Sequence, residues 1–183
     1  MDTMTIVAII VIVGLTVLAV GAMVWASRRY QTNKLRDAYG SEYDRTVAET
    51  GDRREAEKEL NRRQDRVEKL HIQPLTHDQC NEFTGRWQSV QAEFVDEPKR
   101  ALQDADGLIG EVMSKRGYPV GEFEQRAGDI SVDHPGVVKN YRLAHNISRA
   151  SDEGNATTEE MRQGMQSYRA LFDDLLQTTE ASR

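Results

Sequence analysis

The sequence predicts an all-α protein with an N-terminal transmembrane helix, a charged helical stalk and a C-terminal bundle of four to five helices. Three observations support this fold class. No charged residue occurs between Thr3 and Ser27. In the rest of the chain, apolar residues recur at three- and four-residue spacing, which is typical of amphipathic helices. No run of residues alternates apolar and polar side chains as a half-buried strand would.

Residues 6–27 form the predicted transmembrane helix, after a short extracytoplasmic N-terminus at 1–5. About 20 apolar residues that rise ~1.5 Å each span a hydrocarbon core of roughly 30 Å. Trp25, Arg28 and Arg29 end this segment and are expected to act as membrane-interface anchors. Because basic residues flank it on that side only, the sequence predicts a single-pass cell-membrane protein with its body in the cytoplasm.

Three alternatives concern this segment. Its small residues resemble the cleavage site of a secretory signal peptide, although it lacks a basic n-region and its apolar core is long for one. Gly14 and Gly21 lie seven residues apart, so self-association of this helix is an open alternative. An extracytoplasmic body is the third alternative, and the single Cys80, which cannot pair within the chain, argues weakly against it.

Residues 28–72 are predicted to form a basic juxtamembrane region and a charged helical stalk. A short helix ends at Gly51, and Asp52 is placed to cap a longer helix that ends near Leu70. This longer helix has only a narrow apolar stripe, and Arg63 occupies one of its positions. A solvated stalk or a weak coiled coil fits this pattern, and a helix that binds a partner or lipid head groups is the alternative.

The bundle is predicted at 75–179, after Pro74 interrupts the stalk helix. Thr76 and Gln79 have the spacing of a capping box that begins the first bundle helix. Pro98 follows two acids and suits the first turn of the second helix. These positions therefore predict where the first two bundle helices begin.

The remaining bundle helices are predicted from their turns and apolar faces. A short helix covers 120–130, a turn follows at 131–135, and the next helix ends near Gly154. Thr157 and Glu160 repeat the capping-box spacing before the last helix. The apolar faces of the helices from the first to the last are Phe83, Trp87, Val90 and Phe94; Ala101, Leu102, Ala105, Leu108, Ile109, Val112 and Met113; Phe123, Ala127 and Ile130; Val137, Val138, Tyr141, Ala144 and Ser148; and Met161, Met165, Tyr168, Leu171, Phe172, Leu175 and Leu176.

Charge and motifs limit the function. The chain has a net charge of −6, and residues 71–183 carry 12 basic and 19 acidic residues. Nucleic-acid binders concentrate basic residues on one face, so a nucleic-acid partner is not expected. The sequence contains no Gly-rich phosphate loop, nucleophile elbow or metal-ligand spacing. It therefore predicts no catalytic residue, no metal and no cofactor, and it favours a protein that is not an enzyme.

The connection at 116–135 is the most unusual part of the body. It contains a candidate functional patch of five side chains: Tyr118, Glu124, Arg126, Asp133 and His134. A His beside an Asp suits acid–base chemistry, so a ligand-binding or enzymatic domain that uses this connection is one hypothesis. In the structural alternative, Asp133 caps the next helix, Arg126 pairs with an acid and Tyr118 packs across a turn.

Five strings of the sequence form a specific pattern: GSEYDR at 40–45, GDRREAE at 51–57, RWQSVQAEFVD at 86–96, RGYPVGEFEQRA at 116–127 and SVDHP at 131–135. Together they resemble an uncharacterised family of bacterial single-pass membrane-anchored helical proteins. The resemblance implies a bacterial origin and an N-terminal anchor, and it assigns no role to any residue.

The leading functional hypothesis is a membrane-anchored interaction or scaffold module. In this hypothesis the lipid bilayer holds residues 6–27, and the acidic bundle or the stalk binds a protein partner at the cytoplasmic face. The hypothesis follows from the order of the predicted segments and from the lack of a catalytic motif.

Overall fold

The computed structural model describes the backbone of residues 3–177 and the side chains of residues 14–177 apart from those at 17, 24 and 28. The described chain contains α-helices and no strand, which confirms the all-α prediction. Its helices are α1 (Thr3–Tyr39), α2 (Ser41–Thr50), α3 (Arg53–Val67), α4 (His77–Glu93), α5 (Pro98–Arg116), α6 (Phe123–Asp133), α7 (Val138–Asp152) and α8 (Thr158–Gln177).

The chain divides into two compact units, the first ending at Ala38 and the second beginning at Tyr39. The first unit contains nearly all of α1. In it the guanidinium carbon of Arg29 lies 5.2 Å from the centre of the Trp25 ring, within the range of a cation–π contact. The side chain of Arg28, the third predicted anchor, lies outside the described residues. Residues 1 and 2 of the predicted N-terminal segment also lie outside them.

The membrane predictions are contradicted. Among the residues that the structure describes, no helix is long and apolar enough to cross a membrane. The transmembrane helix at 6–27 and the single-pass membrane localisation are corrected accordingly. The assignment of Trp25, Arg28 and Arg29 as membrane-interface anchors depended on that helix and stays a prediction.

Helix α5 lies at the centre of the second unit and packs against α4, α7 and α8. Its whole predicted apolar face, seven side chains from Ala101 to Met113, is buried. Leu102, Ile109 and Met113 belong to one continuous core with the large side chains Tyr141 and Phe172 of α7 and α8. The predicted face of α8 is likewise buried from Met161 to Leu175. The helical periods read from the sequence thus identify the core of the bundle.

Helices α2 and α3 differ from the predicted stalk. Both belong to the same compact unit as the bundle, and α3 packs against α6 while α2 contacts α7. The narrow stripe of α3 is buried, since Ala56 and Leu60 have no exposed surface and Val67 is 5% exposed. Arg63, which interrupts the stripe, is also buried. The apolar stripe is narrow because the charged side chain of Arg63 occupies one position of the buried face.

A close backbone contact joins α5 to the segment after α3. Gly117 follows α5 with φ of 102°, and a Cβ atom there would lie 2.5 Å from the carbonyl oxygen of His71. The amide of Gln73 donates to the carbonyl oxygen of Arg116 over 2.8 Å. Glycine is therefore required at 117 both by the left-handed backbone and by the approach of residue 71.

Candidate functional site

The most heavily charged buried site surrounds Glu42 on α2. Its carboxylate is 2% exposed and accepts hydrogen bonds from three arginines on three helices. The Arg142 side chain on α7 donates over 2.8 and 3.3 Å, Arg63 on α3 over 3.1 Å, and Arg45 on α2 itself over 3.1 Å. One carboxylate therefore links α2, α3 and α7.

Electrostatics hold this site in its charged form. Burial by itself would raise the pKa of Glu42, but the hydrogen bonds and charges of Arg142 and Arg45 hold that pKa below its ordinary value. Burial would lower the pKa of Arg142, and its contacts with Glu42 and Glu124 raise it instead. Both groups are thus stabilised in the forms that attract each other, as expected for a structural ion pair.

A second buried acid joins α3 to α6. Asp129 has no exposed surface, and its Oδ1 accepts from Arg66 over 2.7 and 2.6 Å. The neighbouring Gly128 of α6 lies against the guanidinium of Arg63. A Cβ atom added at Gly128 would be 3.4 Å from Arg63 Nε. Arg63 and Arg66 therefore fix the same helix pair from two successive turns of α3.

The structure places Tyr118 and Asp133 of the predicted patch together. The Tyr118 hydroxyl donates to Asp133 Oδ2 over 2.5 Å, and burial with this contact raises the pKa of Tyr118 far above its usual range. Asp133 is the last residue of α6 and does not cap α7, whose N-cap is Val137. The Tyr118–Asp133 contact instead joins the segment after α5 to the end of α6.

His134 pairs with a residue outside the predicted patch. Its Nδ1 contacts Asp174 Oδ2 on α8, and its Nε2 is buried without a hydrogen-bond partner among the described residues. A catalytic dyad needs a ring nitrogen that a substrate can reach. The buried Nε2 of His134 does not meet that requirement in this structure.

Glu124 and Arg126 point to different clusters. Glu124 accepts from Arg142 over 2.6 Å at the edge of the Glu42 site. Arg126 lies 3.7 Å from Asp106 on α5, as the structural alternative predicted, and its guanidinium lies 6.0 Å from the centre of the Tyr141 ring. The five predicted patch residues therefore do not converge on one site.

A buried aromatic cluster lies beside Asp106. The Tyr168 hydroxyl donates to Asp106 Oδ1 over 3.1 Å, and burial raises the pKa values of Tyr168 and Tyr141 far above their usual range. Phe123 stacks on His145 with ring centres 3.6 Å apart, and burial lowers the pKa of that histidine. This cluster packs the first turn of α6 against α7, so these aromatic side chains stabilise the fold.

Open surface clefts occur between α4 and α5. The larger one, of about 740 Å³, is lined by Gln73, Pro74, Thr76, Gln79, Glu82, Phe83, Arg86, Glu111, Ser114 and Lys115. The second, of about 330 Å³, is lined by Arg86, Ser89, Val90, Gln103, Asp104, Gly107, Leu108 and Glu111. Both contain Arg86 and Glu111, whose side chains form two hydrogen bonds of 2.5 and 2.8 Å. We call these two clefts together the α4–α5 groove.

Sequence reasoning missed Glu42 and the α4–α5 groove. Glu42 lies in one of the strings that carry the family resemblance, and Arg63 interrupts an apolar stripe. An arginine at a core position signals a buried acid partner, because a buried charge must be paired. That signal predicts the presence of a partner, but nothing along the chain identifies Glu42, 21 residues away.

No group of three or more potential metal ligands occurs among the residues that the structure describes. A scan against protein-family models finds no match to the chain. Searches of curated proteins and of solved structures likewise find no similar protein.

Proposed function

We propose that the second unit is a protein-interaction module that binds a segment of a partner protein in the α4–α5 groove. The observation that carries this proposal is the pair of clefts of about 740 and 330 Å³ that share Arg86 and Glu111. Clefts between two helices suit a helical or extended peptide segment.

The groove has an apolar floor and polar walls. Phe83 and Leu108 lie at its base, with 5% and 2% of their surface exposed. Exposed polar side chains such as Glu82, Ser89 and Ser114 form its walls. An interface commonly combines an apolar centre with a polar rim, so this arrangement supports binding of a protein segment.

The helices that form the groove carry a small excess of acidic charge, and the groove presents charges of both signs. Residues 77–116, which contain α4 and α5, carry eight acidic and five basic residues. The groove itself is lined by the exposed acids Glu82, Asp104 and Glu111 and by the bases Arg86 and Lys115, and Glu111 is paired with Arg86. Complementary charge speeds association and selects partners more than it adds affinity.

The buried charges support an interaction role over a catalytic one. Glu42 and Asp129 are each held by arginines, and the Tyr118 hydroxyl is bound to Asp133. These contacts join helices to each other, which is a structural use of charge.

Affinity purification with a groove-filling variant tests this proposal. Ser114 is exposed in the larger cleft, so Ser114→Trp places a large side chain in the groove without disturbing the core. Gln166→Trp on α8 is the matched control, because Gln166 is also exposed and lines neither cleft. Tagged full-length protein is captured from host cells, and bound proteins are quantified by mass spectrometry.

We expect wild type and Gln166→Trp to enrich the same protein over the tag alone, and Ser114→Trp to lose at least about nine-tenths of it, because one bulky residue in a binding site commonly removes 1–2 kcal/mol or more. Equal enrichment by Ser114→Trp, or no enrichment by wild type, contradicts the proposal.

A further inference from the structure

Five glycines lie inside helices α4 to α8: Gly85, Gly107, Gly110, Gly128 and Gly164. Glycine destabilises the interior of a helix relative to alanine, so a structural reason for each is expected. At Gly110, Gly128 and Gly164 packing supplies that reason, because an added Cβ atom would lie 3.0–3.4 Å from a side chain of another helix. At Gly85 and Gly107 an added Cβ atom would meet nothing within 4 Å among the described residues. Contacts within the described part of the chain therefore do not account for these two glycines.

Gly107 lies on the face of α5 that lines the α4–α5 groove. It follows Asp104 by three residues and precedes Glu111 by four, so these three residues share one face of the helix. All three line the smaller cleft, whereas Gly85 of α4 lines neither cleft. The missing side chain at position 107 therefore enlarges the groove, and the one at position 85 does not.

The smaller cleft combines apolar groups with a polar border. Val90 and Leu108 supply apolar side chains to it, and Gly107 contributes bare backbone. The border consists of the other lining residues, which are polar: Arg86, Ser89, Gln103, Asp104 and Glu111. Both signs of charge occur in this border, so shape and apolar contact, rather than charge, select what binds. The volume of about 330 Å³ is at the lower end for ligand pockets, which suits one large side chain better than a whole segment.

We infer that Gly107 is a specificity-determining residue of the α4–α5 groove, because it leaves room for one large apolar side chain of the bound segment, such as Leu, Met or Phe. This side chain packs on the backbone of α5 next to Val90 and Leu108. The polar border excludes water from it, as around an interface hot spot. The inference rests on the proposed function of the groove and names the chemistry of the partner.

Peptide display tests this inference. The probe is a phage-displayed library of random peptides of about 15 residues, roughly four helical turns, selected on full-length wild type. Enriched peptides are synthesised with a fluorophore, and fluorescence anisotropy gives their dissociation constants. Gly107→Leu places an apolar side chain of the chain itself in the smaller cleft, and Gly85→Leu on α4 is the matched control, since both glycines are exposed. Gly107→Ala adds one methyl group and is the milder second variant.

We expect the enriched peptides to share one large apolar residue, whose replacement by Ala raises the dissociation constant at least about tenfold. Gly107→Leu raises the dissociation constant of the parent peptides at least about tenfold, and Gly107→Ala raises it by a smaller factor, because a side chain at 107 occupies the same space. Gly85→Leu stays within about twofold of wild type. All three variants unfold thermally at or above the wild-type midpoint, since alanine and leucine favour helix more than glycine does. Weaker binding then does not result from loss of the fold.

The inference is overturned if either variant at Gly107 binds the peptides as wild type does, if Gly85→Leu weakens binding equally, or if the enriched peptides need no large apolar residue. When Ser114→Trp weakens binding of these peptides and Gly107→Leu does not, the groove binds a segment that Gly107 does not select, so the proposed function stands alone. A library that yields no binder also overturns the inference, and the capture from host cells with Ser114→Trp then decides the proposed function by itself.

Discussion

Glu42 lies between Arg63 and Arg142 with 2% of its side chain exposed, so removal of its charge leaves two buried guanidinium groups without their shared counter-ion. Breaking a buried ion pair from one side costs about 3 kcal/mol or more. We therefore expect Glu42→Gln to lower the free energy of unfolding in urea by about 3 kcal/mol.

Glu49→Gln is the matched control for that substitution. Glu49 lies on the same helix and pairs with Arg45, but its side chain is 51% exposed. An exposed pair contributes at most about 1 kcal/mol, so this variant should unfold close to wild type. Equal losses in the two variants would show that Glu42 is not the centre of a buried network.

The pH dependence of stability follows from the same residue. The pKa of Glu42 is lower in the folded protein than the ordinary 4.5, so the folded state binds its proton less readily than the unfolded state. Its contribution is complete above pH 4.5 and is lost as the pH falls from there through the folded pKa. The difference in unfolding free energy between wild type and Glu42→Gln should therefore be constant from pH 5.5 to 7 and shrink below about pH 4.5.

Urea unfolding of both proteins from pH 3 to 7 provides this measurement. A difference that stays unchanged down to pH 3 would mean that Glu42 does not titrate with a lowered pKa. In that case the stabilisation that Glu42 provides would not depend on its charge.

At the residue scale, local signals were predictable and distant partners were not. The Thr76–Gln79 capping box is confirmed, with both of its hydrogen bonds formed, and Asp52 accepts from the amides of residues 54 and 55 as an N-cap. These contacts span three residues or fewer, so the sequence contains all of their information. The Glu42–Arg142 contact spans 100 residues and depends on the packing of α2 against α7.

Helix α8 illustrates a constraint at the scale of elements. Gly164 faces α5 and α7, and a Cβ atom there would lie 3.0 Å from Leu102 Cδ2 and 3.1 Å from Ile147 Cγ2. Leu102 has no exposed surface and Ile147 has 9%, so neither side chain has room to move. We expect Gly164→Ala to destabilise the protein by about 1 kcal/mol through overpacking.

Gly107→Ala in α5 gives the comparison. A Cβ atom at Gly107 meets nothing within 4 Å, so only the conformational gain of alanine in a helix remains. That gain is about 0.5–1 kcal/mol. Relative to wild type, the midpoint of thermal unfolding should therefore fall for Gly164→Ala and rise for Gly107→Ala. A stabilised Gly164→Ala would contradict the close packing of α8.

Element prediction succeeded where one face of a helix is continuously apolar. The seven-residue face of α5 was read correctly because a 3.6-residue period needs no knowledge of neighbours. The short helix predicted at 120–130 is instead α6 at Phe123–Asp133, and the predicted turn at 131–135 begins later. Gly117, Pro119 and Gly121 cluster there, and their order does not fix the residue at which helix resumes.

At the scale of the whole molecule, the high charge of α3 concealed the fact that this helix packs against the rest of its unit. Dense Glu and Arg suggested a solvated stalk, yet Arg63 and Arg66 supply contacts that attach α3 to the rest of its unit. Fifteen residues with so few apolar side chains do not reveal which charges face inward. The α4–α5 groove was equally hidden, because it forms between two helices and the sequence of each helix does not show how the two pack together.

The central claim is that the α4–α5 groove binds a protein segment, and site-specific photo-cross-linking tests it most directly. A photoreactive amino acid replaces Ser114 in the groove or Gln166 on α8, and full-length protein is irradiated in host cells. We expect a discrete adduct of higher mass from position 114 and none from position 166. The absence of an adduct from position 114, or the same adduct from both positions, would contradict the claim.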